Sequence, residues 1–118
     1  MIRIKRIYEL SAEDDCFRIL VDRLWPRGLS KRKAKLDLWL KEIAPSESLR
    51  TWFNHEPAKW SEFQAKYREE LSEKKAEVKQ LKEFEKEKGV LTLLFSARDI
   101  EHNNAVVLKS YLEKKISL

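Results

Sequence analysis

A near-continuous apolar run, "VLTLLF", is the feature of this sequence that most constrains its fold. The run covers residues 90–95 and has the length of a single strand. Apolar strands without a polar face are typical of the centre of a parallel sheet, where both faces are covered. The covering layers must come from other elements, so the run predicts an α/β fold.

Two more strands are predicted in the first part of the chain. The segment "IRIKRIY" alternates apolar and basic residues and predicts a half-buried strand near residues 2–8, while "CFRILV" predicts another near residues 17–22. The long helical segment before residues 90–95 allows a right-handed crossover between parallel strands. We therefore predict a single compact α/β domain over residues 1–118, with a small, mainly parallel sheet, a central 90–95 strand and several packed helices.

Helical periodicity marks the segments between these strands. Apolar residues at helical spacing predict a helix over residues 36–43, and Ser46 is predicted to cap the next one. A long helix is predicted from Trp60 onward, and it either bends near Ser72 or gives way there to a new helix. Gly89 is predicted to end this helical segment.

The last predicted helix runs from about Asn103 to Lys115. Its apolar residues recur at helical spacing and are predicted to face the core. These residues are Ala105, Leu108, Leu112 and Ile116.

The positive charge of the chain is concentrated in its first third. Residues 1–35 contain ten Lys/Arg and five Asp/Glu, whereas residues 36–118 contain fifteen of each, for a net charge of +5. A local positive field concentrates anions, so this asymmetry indicates an anionic partner. The basic segment "SKRKAK" has no interleaved aromatic residues, which favours a solvated loop or helix start over a nucleic-acid patch.

Several classes of protein do not fit the composition. No apolar run approaches the roughly 20 residues of a membrane span, and "MIRIKRIYEL" lacks the apolar core of a signal peptide, so a cytoplasmic protein is expected. The single cysteine, Cys16, excludes an internal disulfide and is interpreted as a small buried residue. With no ligand pair at zinc spacing and no glycine-rich phosphate loop, we predict neither a metal nor a cofactor.

Polar residues gather where two predicted strands end. One group follows the strand near residues 17–22, and the other follows residues 90–95. Ligands of open α/β sheets bind outside the carboxyl ends of the strands, so we predict that both groups line one concave site. The predicted site consists of Asp22, Arg23, Arg27, Arg98, Asp99 and His102, with Trp25 and Asn103 at its margin.

The residue types in this site suggest separate roles. The arginines are predicted to bind a carboxylate or phosphate, and Trp25 to stack on a planar ligand. For proton transfer the candidates are Asp22, Asp99 and His102. Structural alternatives stay open, because Asp99 is also a candidate cap of the final helix and the whole group is also interpretable as a polar network.

Several longer strings are similar to those of a known family. The strings "VDRLWPRG", "LWLKEIAPS", "LRTWFNHEPAKWSEF" and "TLLFSARDIEHNNAVVL" resemble the YeaO-like branch of the domain of unknown function 488 (DUF488) family, over nearly the whole chain. The resemblance implies a fold and a set of characteristic positions, but no established activity. It also implies that Cys16 stands where the family often has glycine.

Two functions remain open from the sequence. The first is an enzyme that acts on, or a protein that binds, a small anionic ligand of phosphorylated or nucleotide-like character. The alternative is a non-catalytic nucleic-acid-binding module that uses Arg3, Lys5, Arg6 and the basic residues 30–35. The sequence does not decide whether the protein is an enzyme.

Overall fold

The computed structural model describes residues 1–114, which form a sheet and the helices that cover it. The elements, in chain order, are β1 (Ile2–Arg6), β2 (Phe17–Leu20), α1 (Lys31–Ala34), β3 (Leu38–Trp39), α2 (Glu47–Phe53), α3 (Trp60–Glu73), α4 (Lys75–Lys88), β4 (Leu91–Phe95) and α5 (Asn104–Glu113). Single-turn 3-10 helices cover Glu13–Asp15, Lys41–Ile43 and Pro57–Lys59. The predicted helix end at Lys115 and the predicted core residue Ile116 lie outside the described residues.

The strands form one parallel sheet in the order β1-β4-β2-β3. On one side β4 pairs with β1, with Leu91 opposite Ile2. On the other side it pairs with β2, with Leu91 opposite Phe17. The predicted small parallel sheet with a central 90–95 strand is therefore confirmed.

Both faces of β4 are buried, which explains its apolar run. Leu91, Leu93 and Phe95 belong to the larger core cluster, to which α2, α3, α4 and α5 contribute. Leu94 points to the opposite face and packs with Leu20 in a smaller cluster that includes Trp25 and Trp39. The sheet is thus covered on both faces, as the absence of a polar face on β4 predicts.

The predicted helix over residues 36–43 is wrong. Leu38–Trp39 is a short strand beside β2, and a 3-10 helix follows it. The backbone N–H of Leu40 donates to the carbonyl of Leu20 at 3.0 Å. Because β2 offers unpaired backbone groups on this side, pairing them outweighs the weak helical preference of the segment.

The helix ends follow the predicted signals more closely. Ser46 caps α2 by accepting a hydrogen bond from the backbone N–H of Leu49 at 3.2 Å. The long helical segment does not bend near Ser72, because α3 ends and α4 begins on either side of Lys74. Gly89 follows α4 with a φ of +86°, as expected for a glycine that ends a helix. None of the helices found in residues 1–114 is long and apolar enough to cross a membrane.

The interpretation of Cys16 as a buried residue is also wrong. Its side chain is exposed, and its φ of +55° lies in the left-handed region. Glycine adopts this conformation without a steric cost. The backbone therefore accounts for the glycine that the family resemblance implies at this position.

Candidate functional site

An open cavity of about 1040 Å³ lies at the carboxyl ends of β1, β2 and β4. Its walls come from the segments that follow β1, β2 and β4, together with α2 and α3. All of the residues that the sequence analysis assigned to the site line this cavity. They are Asp22, Arg23, Trp25, Arg27, Arg98, Asp99, His102 and Asn103.

The carboxylate of Asp22 joins the two strand ends directly. One of its oxygens, Oδ2, accepts hydrogen bonds from the backbone N–H and the hydroxyl of Ser96, at 2.9 and 2.8 Å. Its other oxygen, Oδ1, accepts a hydrogen bond from the side-chain amide of Asn104 at 3.2 Å. Asp22 therefore fixes the ends of β2 and β4 and the start of α5 relative to one another.

The surroundings of Asp22 act on its pKa in opposite directions. Burial raises the pKa of the carboxyl, whereas the hydrogen bonds from Ser96 and Asn104 and the charge of Arg50 lower it. Burial outweighs the other effects, so the pKa of Asp22 lies above the ordinary value of an aspartate. This carboxyl group takes up a proton at a higher pH than an exposed aspartate does.

Asp99 and His102 form a compact turn before α5. Asp99 Oδ1 accepts hydrogen bonds from the backbone N–H groups of Glu101 and His102, at 2.9 and 3.0 Å, while Oδ2 lies 2.9 Å from His102 Nδ1. The hydrogen bond with His102 is the largest of the effects that lower the pKa of Asp99. The His102 ring also meets the Trp60 ring edge-on, with 5.1 Å between the ring centroids. Two contacts therefore fix the orientation of the imidazole.

Asn103, and not Asp99, is the N-cap of the final helix. Its side-chain oxygen accepts a hydrogen bond from the backbone N–H of Val106 at 3.1 Å, and its amide donates to the carbonyl of Asp99 at 2.9 Å. The residue is 3% exposed. Asn103 therefore has a structural task in addition to its position in the cavity wall.

The three predicted arginines differ in how the protein uses them. Arg23 donates hydrogen bonds to the carbonyls of Ala44 and Pro45, at 3.3 and 3.2 Å. Arg27 and Arg98 are exposed, and their guanidinium groups make no hydrogen bond or ion pair with any of residues 1–114. Arg23 therefore holds the loop before α2, whereas the other two remain free to bind a ligand.

The side chain of Trp25 contacts two other residues of the protein. Its indole N–H donates to the carbonyl of Leu29 at 2.6 Å, and its ring meets that of Trp39 edge-on at 5.3 Å between centroids. The residue is half-buried and still contributes to the cavity wall. These contacts anchor the ring, and its predicted stacking on a planar ligand stays a prediction.

Two arginines of the cavity were not assigned to the site by the sequence analysis, which gave Arg6 only to the nucleic-acid alternative. Arg6 ends β1 and donates a hydrogen bond to the carbonyl of Ala97 at 3.0 Å, and its guanidinium lies 4.6 Å from the ring centroid of Tyr8. Arg50 lies on α2, is exposed and lines the same cavity. The position of Arg6 follows once β1 is known to be parallel to β4, but nothing in the sequence brings α2 to this edge.

The charges around the cavity are unbalanced. Five arginines and only two aspartates line it, together with His55 and His102. Among the residues that the structure describes, no group of histidine, cysteine and acidic side chains is arranged to hold a metal ion. The chemistry that this arrangement favours is the binding of an anion by guanidinium groups.

The fold and the cavity define a small parallel α/β domain with an arginine-rich pocket at the carboxyl ends of its strands. The chain belongs to the DUF488 family, because the model of the inactive DUF488-N3 subclade matches residues 1–117. This match confirms the family resemblance of the strings quoted above.

Proteins of two bacterial groups are similar to the chain. The uncharacterized protein YeaO of Escherichia coli (strain K12) is 44% identical over 111 residues, which cover 94% of this chain and 96% of YeaO. The uncharacterized proteins Mb3100c of Mycobacterium bovis and Rv3073c of Mycobacterium tuberculosis are each 38% identical over 113 residues, or 94% of this chain and 92% of theirs. No solved structure shows a significant match to the chain.

Proposed function

We propose that the protein binds a small anionic ligand in the cavity at the carboxyl ends of β1, β2 and β4. One observation carries this proposal: Arg27, Arg50 and Arg98 are exposed and line one cavity, and their guanidinium groups make no hydrogen bond or ion pair with residues 1–114. Like charges held close together repel one another, and an anion offsets that repulsion. Planar guanidinium groups also match the oxygen atoms of phosphates and carboxylates in pairs.

Binding without a reaction is the form of this function that we favour. The subclade whose model matches the chain carries the word "inactive" in its name. The hydroxyl of Ser96, which lies in the cavity wall, donates to Asp22 at 2.8 Å and is not paired with His102. The Ser96 hydroxyl therefore has a carboxylate as its partner, and not the imidazole of a serine–histidine nucleophile.

Proton transfer is the second candidate function, and the Asp99–His102 pair supports it. A carboxylate at 2.9 Å from Nδ1 holds an imidazole in one orientation, with Nε2 left to exchange a proton. Asp22, with its raised pKa, is the other candidate acid or base. In this candidate function the arginines bind the same small anion and stabilise its charge during the reaction.

The nucleic-acid alternative has less support in the structure. Two of the three basic side chains of β1 are in ion pairs, Arg3 with Asp14 at 3.0 Å and Lys5 with Asp15 at 3.2 Å. The third, Arg6, contributes to the cavity. The exposed basic residues of α1 remain available, but the strand that the alternative needs is largely neutralised.

The proposal is tested by thermal-shift and calorimetric titration with inorganic phosphate, citrate and mononucleotides. We expect at least one of them to bind, and Arg98→Gln to weaken binding roughly tenfold, the effect of losing one hydrogen-bonded charged group. Arg32→Gln is the matched control, because Arg32 is exposed on α1 and does not line the cavity. If no anion binds, or if both variants weaken binding equally, the proposed site is wrong.

Titration with a short DNA duplex distinguishes the nucleic-acid alternative from the small-ligand proposal. A nucleic-acid module loses affinity steeply as salt rises, because each phosphate contact releases counterions. Weak duplex binding that is unchanged in Arg98→Gln agrees with the small-ligand proposal. Tight duplex binding that depends on Lys31 and Lys33 would favour the alternative instead.

We also propose a cytoplasmic location. The free and exposed thiol of Cys16 is compatible with a reducing compartment, where thiols persist.

A further inference from the structure

The arginines of the cavity fall into two groups that are held by different parts of the fold. The first arginine group consists of Arg6, Arg27 and Arg98, and the second consists of Arg23 and Arg50. No hydrogen bond joins the two groups among the residues described. This division into two groups bears on the kind of anion that the cavity accepts.

The first arginine group is assembled around Tyr8. The Tyr8 hydroxyl donates to the carbonyl of Arg27 at 2.7 Å, and the Arg6 guanidinium lies over the Tyr8 ring. Arg6 also donates to the carbonyl of Ala97, the residue before Arg98. These contacts bring the segments that follow β1, β2 and β4 to one side of the cavity.

The second arginine group is assembled around the start of α2. Arg23 donates to the carbonyls of Ala44 and Pro45, which precede the helix cap Ser46. Arg50 lies one turn further along the same helix and lines the cavity. Since Arg23 fixes the loop that leads into α2, it also fixes where the charge of Arg50 is presented.

Asp22 lies between the two groups in this network of contacts. It accepts both hydrogen bonds of Ser96, which is close in sequence to Arg98, and it directly precedes Arg23. Among residues 1–114, Oδ2 receives two donors, whereas Oδ1 receives only one, from Asn104. A carboxylate oxygen accepts two hydrogen bonds, so Oδ1 has room for one donor from a ligand.

We propose that the ligand has two anionic groups, one for each arginine group, joined by a neutral spacer that carries a hydroxyl. This inference rests on the proposed function and specifies its ligand class. An ionised carboxylate repels an anion placed directly against it but accepts a hydrogen bond from a hydroxyl. The cavity of about 1040 Å³ is far larger than one phosphate ion requires.

Matched probes test each part of the proposal with the full chain. A hexitol phosphorylated at both ends supplies two anionic groups and a hydroxylated spacer, and the hexitol monophosphate lacks one anionic group. Hexanediol phosphorylated at both ends keeps the charges and lacks the hydroxyls. The corresponding compounds with shorter spacers cover other distances between the phosphates.

We expect the best hexitol-type bisphosphate to bind at least roughly tenfold more tightly than its monophosphate, since it gains a second set of charged hydrogen bonds. Its diol counterpart should bind several-fold more weakly, because Asp22 then lacks a donor. Arg98→Gln and Arg50→Gln should each reduce bisphosphate affinity to about that of the monophosphate. Arg32→Gln should leave every affinity unchanged, because Arg32 lies on α1 away from the cavity.

The outcomes separate this inference from the proposed function. If monophosphates and bisphosphates bind equally at every spacer length and Arg98→Gln weakens both, the cavity binds a single anion and the two-group inference fails. If bisphosphates bind more tightly but neither Arg50→Gln nor Arg98→Gln changes this preference, the inference also fails. If no phosphate compound, citrate or nucleotide binds, the proposed function itself fails.

Discussion

Two clusters of arginine and aspartate in this protein use the same residue types in opposite ways. In the closed cluster, Arg18 pairs with Asp15, and both side chains are nearly inaccessible, at 6% and 4% exposed. Lys5 joins them at 3.2 Å from the Asp15 carboxylate. In the cavity, by contrast, Arg27 and Arg98 are exposed and make no ion pair with the described residues.

In the closed cluster, each of the three guanidinium nitrogens of Arg18 donates a hydrogen bond. Arg18 donates to the carboxylate of Asp15 and to the carbonyls of Ala34 and Lys35, at 2.9 and 3.1 Å for the carbonyls. Asp15 also accepts a hydrogen bond from the backbone N–H of Ala12. A buried charge is tolerated only when it is paired and hydrogen-bonded, so these residues are committed to the fold.

The comparison shows that pairing, and not residue type, separates a structural arginine from one that is available to a ligand. The closed cluster ties β1 and β2 to the 3-10 helix before β2 and to the end of α1, whereas the open cluster lies beyond the carboxyl ends of the strands. Variants of the two clusters should therefore respond differently in stability and in ligand binding.

The largest effect is expected for Arg18→Ala. Removing one partner of a buried ion pair typically costs 3–5 kcal/mol, and because Lys5 still contacts Asp15 we expect a loss of about 3 kcal/mol in the free energy of unfolding. Urea denaturation measures this loss. The matched control is Arg32→Ala, an exposed arginine of α1, which should change stability by less than about 0.5 kcal/mol.

A loss as small as that of the Arg32→Ala control would contradict the comparison. It would mean that Lys5 and the backbone N–H of Ala12 satisfy Asp15 without Arg18, so that burial and pairing do not mark the structural arginine.

A smaller and pH-dependent effect is expected for Asp15→Asn. Burial raises the pKa of the Asp15 carboxyl, but the hydrogen bond from Ala12 and the contacts with Lys5 and Arg18 outweigh it, so this pKa lies below its ordinary value. A carboxyl with a lowered pKa stabilises the folded state above the pKa of the unfolded chain, and this contribution is lost as the pH falls through the folded value. The variant should be less stable by about 1–3 kcal/mol near pH 7.

Urea denaturation of the wild type and the variant at a series of pH values tests the sign. Their difference in stability should shrink as the pH is lowered from about 5 to about 2, through the ordinary pKa of an aspartate and toward the lower pKa of Asp15 in the folded state. A difference that stays constant over this range would show that the charge of Asp15 contributes nothing and that only the shape of the side chain matters.

The core of the fold was predictable because its signal is local. The apolar run at residues 90–95 has no polar face, and this property alone requires a strand covered on both sides. The segment 36–43 was not predictable in the same way. Leu36 and Trp39 pack in one cluster and Leu40 and Ile43 in the other, a division that depends on β2 lying alongside.

The candidate site was also only partly predictable from the sequence. Asp22 and Ser96 follow strands that sequence patterns identify, and the rule that ligands bind at carboxyl ends brings them together. Arg50 belongs to a helix whose place beside the cavity depends on contacts of Arg23 with the preceding loop. Tertiary contacts of this kind leave no periodicity in the sequence, so Arg50 was missed although Arg23 was predicted.

The smallest effect, and the one with the opposite sign, is expected for Arg98→Gln. In the absence of ligand, Arg98 shares a cavity with Arg6, Arg23, Arg27 and Arg50 and has no carboxylate partner among residues 1–114. Removing its charge relieves repulsion, so the variant should be more stable than the wild type by a few tenths of a kcal/mol at low salt. The screening length falls from about 30 Å at 0.01 M salt to about 3 Å at 1 M, so the gain in stability should disappear at high salt.

Urea denaturation at both salt concentrations measures the gain in the free energy of unfolding, with Arg32→Gln as the control for a lone exposed arginine. A loss of stability of more than about 1 kcal/mol at both concentrations would show that Arg98 is a structural residue, as Arg18 is, and the distinction between the two clusters would fail.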